Sequence, residues 1–342
     1  MAGRYRRWLG AAAALGAGAA WVRRAKGPGR PDPARPRPQR IPDPDARPSP
    51  DGTGVRIVVN PSSGPAWRES PLDALREGLP AADVHELTPD EDLVEIVDRP
   101  TDAPLVALGA AGGDGTLGAV AVLAAERDLT FVAVPAGTLN HLARDLGLDT
   151  AEDAIAAVRA GTAVHMDLGT VGDRCFVNTL TLGGYSTIVD RREQLEGIIG
   201  KWPALVVALA WELPRMRPLH VEIDGEPMRV WLAWIGNCRY EPDGFAPSWR
   251  TSLDDGLLDI RLVHGRERRS RTRLVLAALA GRLDRCSVYE ERTATALSIR
   301  SHHGPLRLAA DGETFDAPAS IEVAKRPRAL LVAVPPLTSP SR

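Results

Sequence analysis

Two stretches of this 342-residue chain set glycines beside small polar residues in a way that suits an anion. They are GAAGGDGTLG (109–118) and PAGTLNH (135–141), each between an apolar run and a segment of helical character. Glycine lets the backbone approach a phosphate closely, and the free N–H groups that open a helix attract negative charge. Thr116 and Thr138 add hydroxyl donors at the same junctions. A third junction, NPSSG (60–64), supplies Asn60, Ser62, Ser63 and Gly64. Three such loops on one rim of a sheet would form a site for a polyphosphate.

Other phosphate frames fit less well. Gly113, Gly115 and Gly118 satisfy G-x-G-x-x-G, but the dinucleotide fingerprint belongs after a first strand, with a carboxylate about twenty positions on. Here the glycines follow the third predicted strand, and the next one ends in VPAGT without a carboxylate. A Walker A loop, G-x-x-x-x-G-K-[ST], does not occur.

The elements that must hold these loops alternate. VRIVVN (55–60) reads as a strand buried on both faces, and 72–79 as a helix. ADVHEL (82–87) is a second strand, and PDEDLVEIVDR (89–99) a helix with an acidic first turn. APLVALG (103–109) is a third strand and 116–125 a helix. TFVAVP (130–135) is a fourth strand, with helices over 138–148 and 150–161. This predicts a doubly wound, mostly parallel α/β domain over 54–162. From 163 to 335, short strands separated by turns, with helical inserts near 190–214 and 268–282, predict an all-β domain with antiparallel sheets. The fold class is therefore α/β plus all-β.

Composition is that of a globular protein, with 44% hydrophobic and 25% charged residues. A net charge of -2 argues against a dedicated nucleic-acid binder, and three scattered cysteines exclude a disulfide framework. Positive charge collects at the start: residues 1–54 hold eleven Lys/Arg against four Asp. Within residues 1–26, Trp8 and Trp21 flank an uncharged Ala/Gly run and are themselves flanked by arginines, like interfacial anchors. The run is short for a membrane span, which needs about twenty residues. A signal peptide, a weak anchor, an interfacial segment and a plain disordered extension all remain open. Residues 27–53 are a Pro/Arg-rich linker and 336–342 a tail.

Taken in order, NPSSG (60–64), GGDGT (112–116), PAGTLNHLARDLGL (135–148), LDDGLLDI (253–260) and ADGE (310–313) resemble the diacylglycerol kinase catalytic family, its bacterial lipid kinases above all. The likeness covers about residues 54–335. It implies an ATP-binding α/β domain and a β-sandwich completing the cleft, with the last strand returning toward the first domain. It also implies an ATP- and Mg²⁺-dependent kinase whose acceptor is diacylglycerol or a similar lipid, at a cytoplasmic membrane face. By this resemblance Gly112, Gly113, Asp114, Gly115, Thr116, Leu117 and Gly118 cradle the nucleotide. Asn60, Gly64, Thr88, Thr138 and Asn140 contribute further contacts. Asp311 is the general base with Glu313 nearby, and Asp255 with the carbonyls of Ser252 and Leu257 is a Mg²⁺ site.

Read alone, DGE and DDG are turns, PAGT is a loop with a helix cap, and His302-His303 is a polar turn. The family often carries Asn-Glu where this chain has Gly118-Ala119, and Asp where it has His141. A kinase for another hydroxyl, in a different lipid or NAD, and a catalytically degenerate nucleotide- or lipid-binding regulator are the competing readings.

Overall fold

A computed structural model describes residues 47–63, 70–88, 90–137, 140–183, 218–241, 249–265, 270–279 and 285–336, with isolated positions between 191 and 211. Segment 1–26, residues 27–46 of the 27–53 linker, most of the 190–214 insert and residues 337–342 of the tail lie outside the described residues.

The first half is built on four parallel strands in the order β2 (Asp83–Glu86), β1 (Val55–Val59), β3 (Ala107–Gly112) and β4 (Thr130–Pro135). Every residue of β1 is buried, as its β-branched run requires of a strand covered on both faces. Arg56 is the polar exception. Its Nε donates to Asp83 at 2.7 Å, while Nη1 donates to the carbonyls of Ile96, Val97 and Arg99 at 2.8–2.9 Å. Those carbonyls end α2 (Leu93–Val97), which is shorter than the acidic stretch suggested and starts on the Asp92 cap.

The third strand lies further along the chain than its apolar run implied. It continues through Gly112, and α3 (Asp114–Glu126) begins two residues later, so Gly113 alone separates strand from helix. Gly109 passes close to its neighbours on both sides: a Cβ there would stand 3.1 Å from Ile57 on β1 and from Val132 on β4, so a larger residue would have to push them aside by a few tenths of an ångström. Helix α3 is apolar around most of its circumference and is correspondingly buried. The first half also holds α1 (Leu72–Gly78), α4 (His141–Asp145) and α5 (Ala151–Ala160). A Thr150–Asp153 capping box opens α5, and Gly161 closes it in the left-handed conformation.

From β5 (Ala163–Val171) onward the strands pair antiparallel. The last strand, β17 (Ser320–Ala333), runs for 14 residues, with its register broken between Arg326 and Leu330. This strand pairs antiparallel with β5 and β14 (Ala296–Ser301) and sets Val332 beside Phe131 of parallel β4. A single 15-stranded sheet therefore runs through both halves. Inside the antiparallel region β9 (Glu226–Asn237) pairs with β7 (Thr179–Gly183), β8 (Leu219–Ile223) and β12 (Leu258–His264). Separate apolar cores lie around the parallel strands and inside the antiparallel region. Among the described residues no helix is long and apolar enough to cross a membrane.

Arg56→Ala strips three carbonyls of their donor, so urea unfolding should show a loss of about 2–4 kcal/mol. A loss under about 0.5 kcal/mol would mean that water replaces the guanidinium.

Candidate active site

The predicted phosphate loops meet at the carboxyl ends of β1, β3 and β4. Gly112 and Gly137 are glycines of necessity: a Cβ on the first would lie 2.8 Å from Thr116 Cβ, and on the second 2.4 Å from Gly113 Cα. The loops after β3 and β4 thus touch backbone to backbone. Around Gly115 the space is open, with nothing within 4 Å of a would-be Cβ. Asn60 ties in the first strand, donating from Nδ2 to Thr116 Oγ1 at 2.9 Å while its N–H reaches Ala111 O. Asn140 takes φ +51° and spends its amide on Gly137, accepting its N–H and donating to its carbonyl. Its structural work is to staple that loop. Asp114 opens α3 and accepts the Leu142 N–H at 3.2 Å, coupling the starts of α3 and α4.

Leu117 is a correction. Its side chain lies fully in the core and its N–H bonds to Gly113 O, so neither reaches a nucleotide. Thr88 is exposed at the end of outer strand β2, where its N–H and His85 hold the Glu91 carboxyl down at about 2. Gly64 and Thr138 lie outside the described residues.

The acidic partner arrives from the other half. Ala310 pairs with Glu313 across the hairpin of β15 (Leu306–Ala310) and β16 (Glu313–Ala317), leaving Asp311 (φ +48°) and Gly312 (φ +90°) as a two-residue type I′ turn. The turn reading of DGE and its functional reading are the same object. Asp311 accepts three backbone N–H groups: Val177 on Oδ2 at 2.7 Å, and Asn178 and Thr179 on Oδ1 at 2.7 and 2.9 Å. Burial pushes its carboxyl up, against the downward pull of those N–H groups and of Arg250. A Cβ on Gly118 would stand 3.3 Å from Asp311 Oδ2. Gly118 lies four residues after Asp114 on the same face of α3, so Asp311 sits about one helical turn from Asp114. Glu313 is pushed up to about 7, first by burial and then by Asp311, against Arg174.

The 252–257 loop carries hard oxygen donors. Asp255 accepts the N–H groups of Arg239 and Leu257, each at 2.8 Å, and the Leu257 carbonyl accepts from Cys238. Ser252 Oγ bonds Asp254. Each Asp255 oxygen keeps a lone pair, so this set fits a hard cation. Behind it stands a group the motifs do not mark. Buried Asp167 pairs with buried Lys325 at 3.2 Å, and Lys325 also reaches Asn237 Oδ1 and Cys238 Sγ. Burial lifts the Cys238 thiol to about 12, and its sulfur and the Asp167 and Asp255 carboxylates lie within 4.8 Å of one another.

Arg250 is a second unmarked residue. It is fully buried, donating from Nε to Asp145 at 2.8 Å, from Nη1 to Val177 O at 2.9 Å and from Nη2 to Asn178 Oδ1 at 3.2 Å. No spacing announces it. Asp167, an acid within the strand-like AVHMDLGTV, at least breaks an apolar run.

A family model described as the diacylglycerol kinase catalytic domain matches residues 54–171. Another, the YegS C-terminal NAD kinase beta sandwich-like domain, matches residues 185–334. The chain is 30% identical over 255 residues to a protein from Mycobacterium tuberculosis named diacylglycerol kinase, a match spanning 71% of this chain and 80% of that one. It is 32% identical over 187 residues to a Pseudomonas aeruginosa protein named "Probable lipid kinase YegS-like", spanning 51% and 60%. A diacylglycerol kinase structure from Bacillus anthracis superposes with a TM-score of 0.56, covering 83% of this chain and 98% of that one. At 17% identity that likeness concerns the fold alone.

Because Glu313 binds its proton more tightly folded than unfolded, its contribution to stability falls as pH rises from about 4.5 to about 7. Glu313→Gln should therefore match wild type in melting temperature near pH 4 and exceed it increasingly toward pH 8. A pH-independent difference would contradict this.

Proposed function

The chain belongs to the diacylglycerol kinase catalytic family of lipid kinases, and on that premise we propose that it transfers the γ-phosphoryl group of ATP to a hydroxyl of diacylglycerol or a similar lipid. The observation that carries this reading is the approach of Asp311 to Gly118, one turn along the helix that GGDGT opens. It brings a carboxylate that can serve as base to the helix face that the glycine junction opens, which supports the reading.

In this reading the N–H groups at the start of α3, the open space at Gly115 and the Thr116 hydroxyl seat the phosphates. Asn60 fixes Thr116, and Thr138 and Thr88 bind further parts of the nucleotide. The acceptor oxygen bonds to the γ-phosphorus as the bond from that phosphorus to the β–γ bridging oxygen breaks. ADP leaves with that oxygen, and the acceptor proton passes to Asp311. The three N–H groups on Asp311 aim it and oppose the upward push of burial on its carboxyl; in-line placement contributes more here than base strength. Glu313, titrating near neutrality, stands beside this path. Asp255 with the carbonyls of Ser252 and Leu257 would hold Mg²⁺, and Asp114 would face the Mg²⁺-bound nucleotide; the ion would supply neutralisation of the phosphate charge. The basic, Trp-flanked residues 1–26 hold the enzyme at an anionic membrane face where such lipids reside.

Incubation with radiolabelled ATP and a lipid panel tests the reading. Wild type should label an extractable lipid, and Asp311→Asn should cut the rate about 10²–10⁴-fold with ATP affinity little changed. Absence of acceptor-stimulated ADP release from wild type across the panel would sink it. Gly118→Val sets a branched side chain against the base, and should lower turnover at least about tenfold without loss of ATP binding; wild-type turnover would show that Asp311 needs no clearance there. Deletion of residues 1–46, which spares the bond from Ser49 N–H to Val158 O, should weaken binding to anionic liposomes. Unchanged binding would mean that the segment is no anchor.

A further inference from the structure

Arg250 and Asp311 never touch, yet they hold opposite ends of one peptide group. The Val177 carbonyl accepts from Arg250 Nη1 at 2.9 Å, and the N–H of the same peptide, on Asn178, donates to Asp311 Oδ1 at 2.7 Å. The next peptide repeats the pattern with neutral partners. The Asn178 carbonyl accepts from Asn237 N–H and Tyr240 O–H, and Thr179 N–H donates to Asp311. Hydrogen bonds in series polarise one another where water is excluded. A cation on a carbonyl makes the N–H at its far end a stronger donor to a carboxylate. Arg250 also has a competing anion, since Asp145 accepts its Nε at 2.8 Å. Asp145 ends α4, the short helix whose first turn gives the Leu142 N–H to Asp114. One unbroken path thus runs from Asp114 through α4, Asp145, Arg250 and the 177–178 peptide to Asp311.

We propose that Arg250 is a positioning residue that sets both the aim and the charge of Asp311 through the Val177–Asn178 peptide, with Asp145 opposing it. This rests on the phosphotransfer reading above. The charged and titratable groups facing Asp311 come from several elements. Glu313 lies on its own hairpin with Arg174 beside it, and Tyr240, Arg250 and Asp145 lie behind the 177–179 segment. Helix α3 faces it with the bare Gly118. Arg250 acts on the peptide directly and Asp145 through Arg250, with opposite sign; Asn237 Nδ2 shares the Val177 carbonyl at 2.8 Å with Lys325 on its oxygen, and both stay unchanged in the variants below.

Carboxyl ¹³C NMR of the full chain reads the link directly, the Asp311 signal being the one absent from Asp311→Asn. Arg250→Met should raise the Asp311 midpoint by about half a pH unit or more, Arg250→Lys less, and Asp145→Asn should lower it. The acid limb of the kcat profile should move in the same directions, with KM for ATP within about twofold. If Arg250→Met fails to fold, Arg250→Lys and Asp145→Asn still give shifts of opposite sign. Midpoints that stay fixed, or that move the same way in the Arg250 and Asp145 variants, overturn the proposal. Midpoints that split as described while wild type turns over no lipid would uphold the link and remove the kinase reading instead. Lipid turnover with fixed midpoints would do the reverse.

Discussion

A guanidinium without access to water must be fully partnered, and Arg250 is partnered from both halves of the chain. Asp145 comes from the parallel α/β region, and Val177, Asn178 and Asn237 come from the antiparallel one. Losing either side would leave a charge stranded in a low-dielectric interior, which costs several kcal/mol. The two halves are therefore held in a set relation where the candidate site lies between them. The shared sheet joins them too, through β17 against β4 and β5, and it also carries the Asp311 turn, with β15 paired to β7 and Asp311 N–H donating to Thr179 O at 2.8 Å. The buried cation adds a link that ties this segment to α4.

From this constraint the geometry of the cleft follows. With the 177–179 segment fixed, its three N–H groups can point only toward the β15–β16 turn, and Asp311 fills them. With α4 fixed at its end by Asp145, its start stays in reach of Asp114. The start of α3 and the Asp311 carboxyl are thus oriented by the same group. Gly118 is where the helix comes nearest that carboxyl, a Cβ there standing 3.3 Å from Asp311 Oδ2.

Features that depend on neighbours in the chain could be read from the sequence. The parallel α/β order, the antiparallel remainder, the glycine junctions and the DGE turn all rest on local periodicity and turn chemistry. Boundaries were lost where small residues hide them. Alanine and glycine over 109–112 fit a strand as well as a loop, and β3 runs on through Gly112. Contacts between distant residues left no local trace. Arg250 and Asp145 are 105 positions apart, and Asp167 and Lys325 are further apart still. Nothing in the periodicity around Arg250 marks a residue that must be buried and paired.

The central claim is that Arg250 and Asp311 are energetically coupled although only a peptide group lies between them. A double-mutant cycle in chemical denaturation, with Arg250→Met, Asp311→Asn and both together, measures that coupling directly, because the loss at Asp145 cancels between its arms. The account predicts a coupling of about 1 kcal/mol or more. Simple additivity, within about 0.3 kcal/mol, would contradict it.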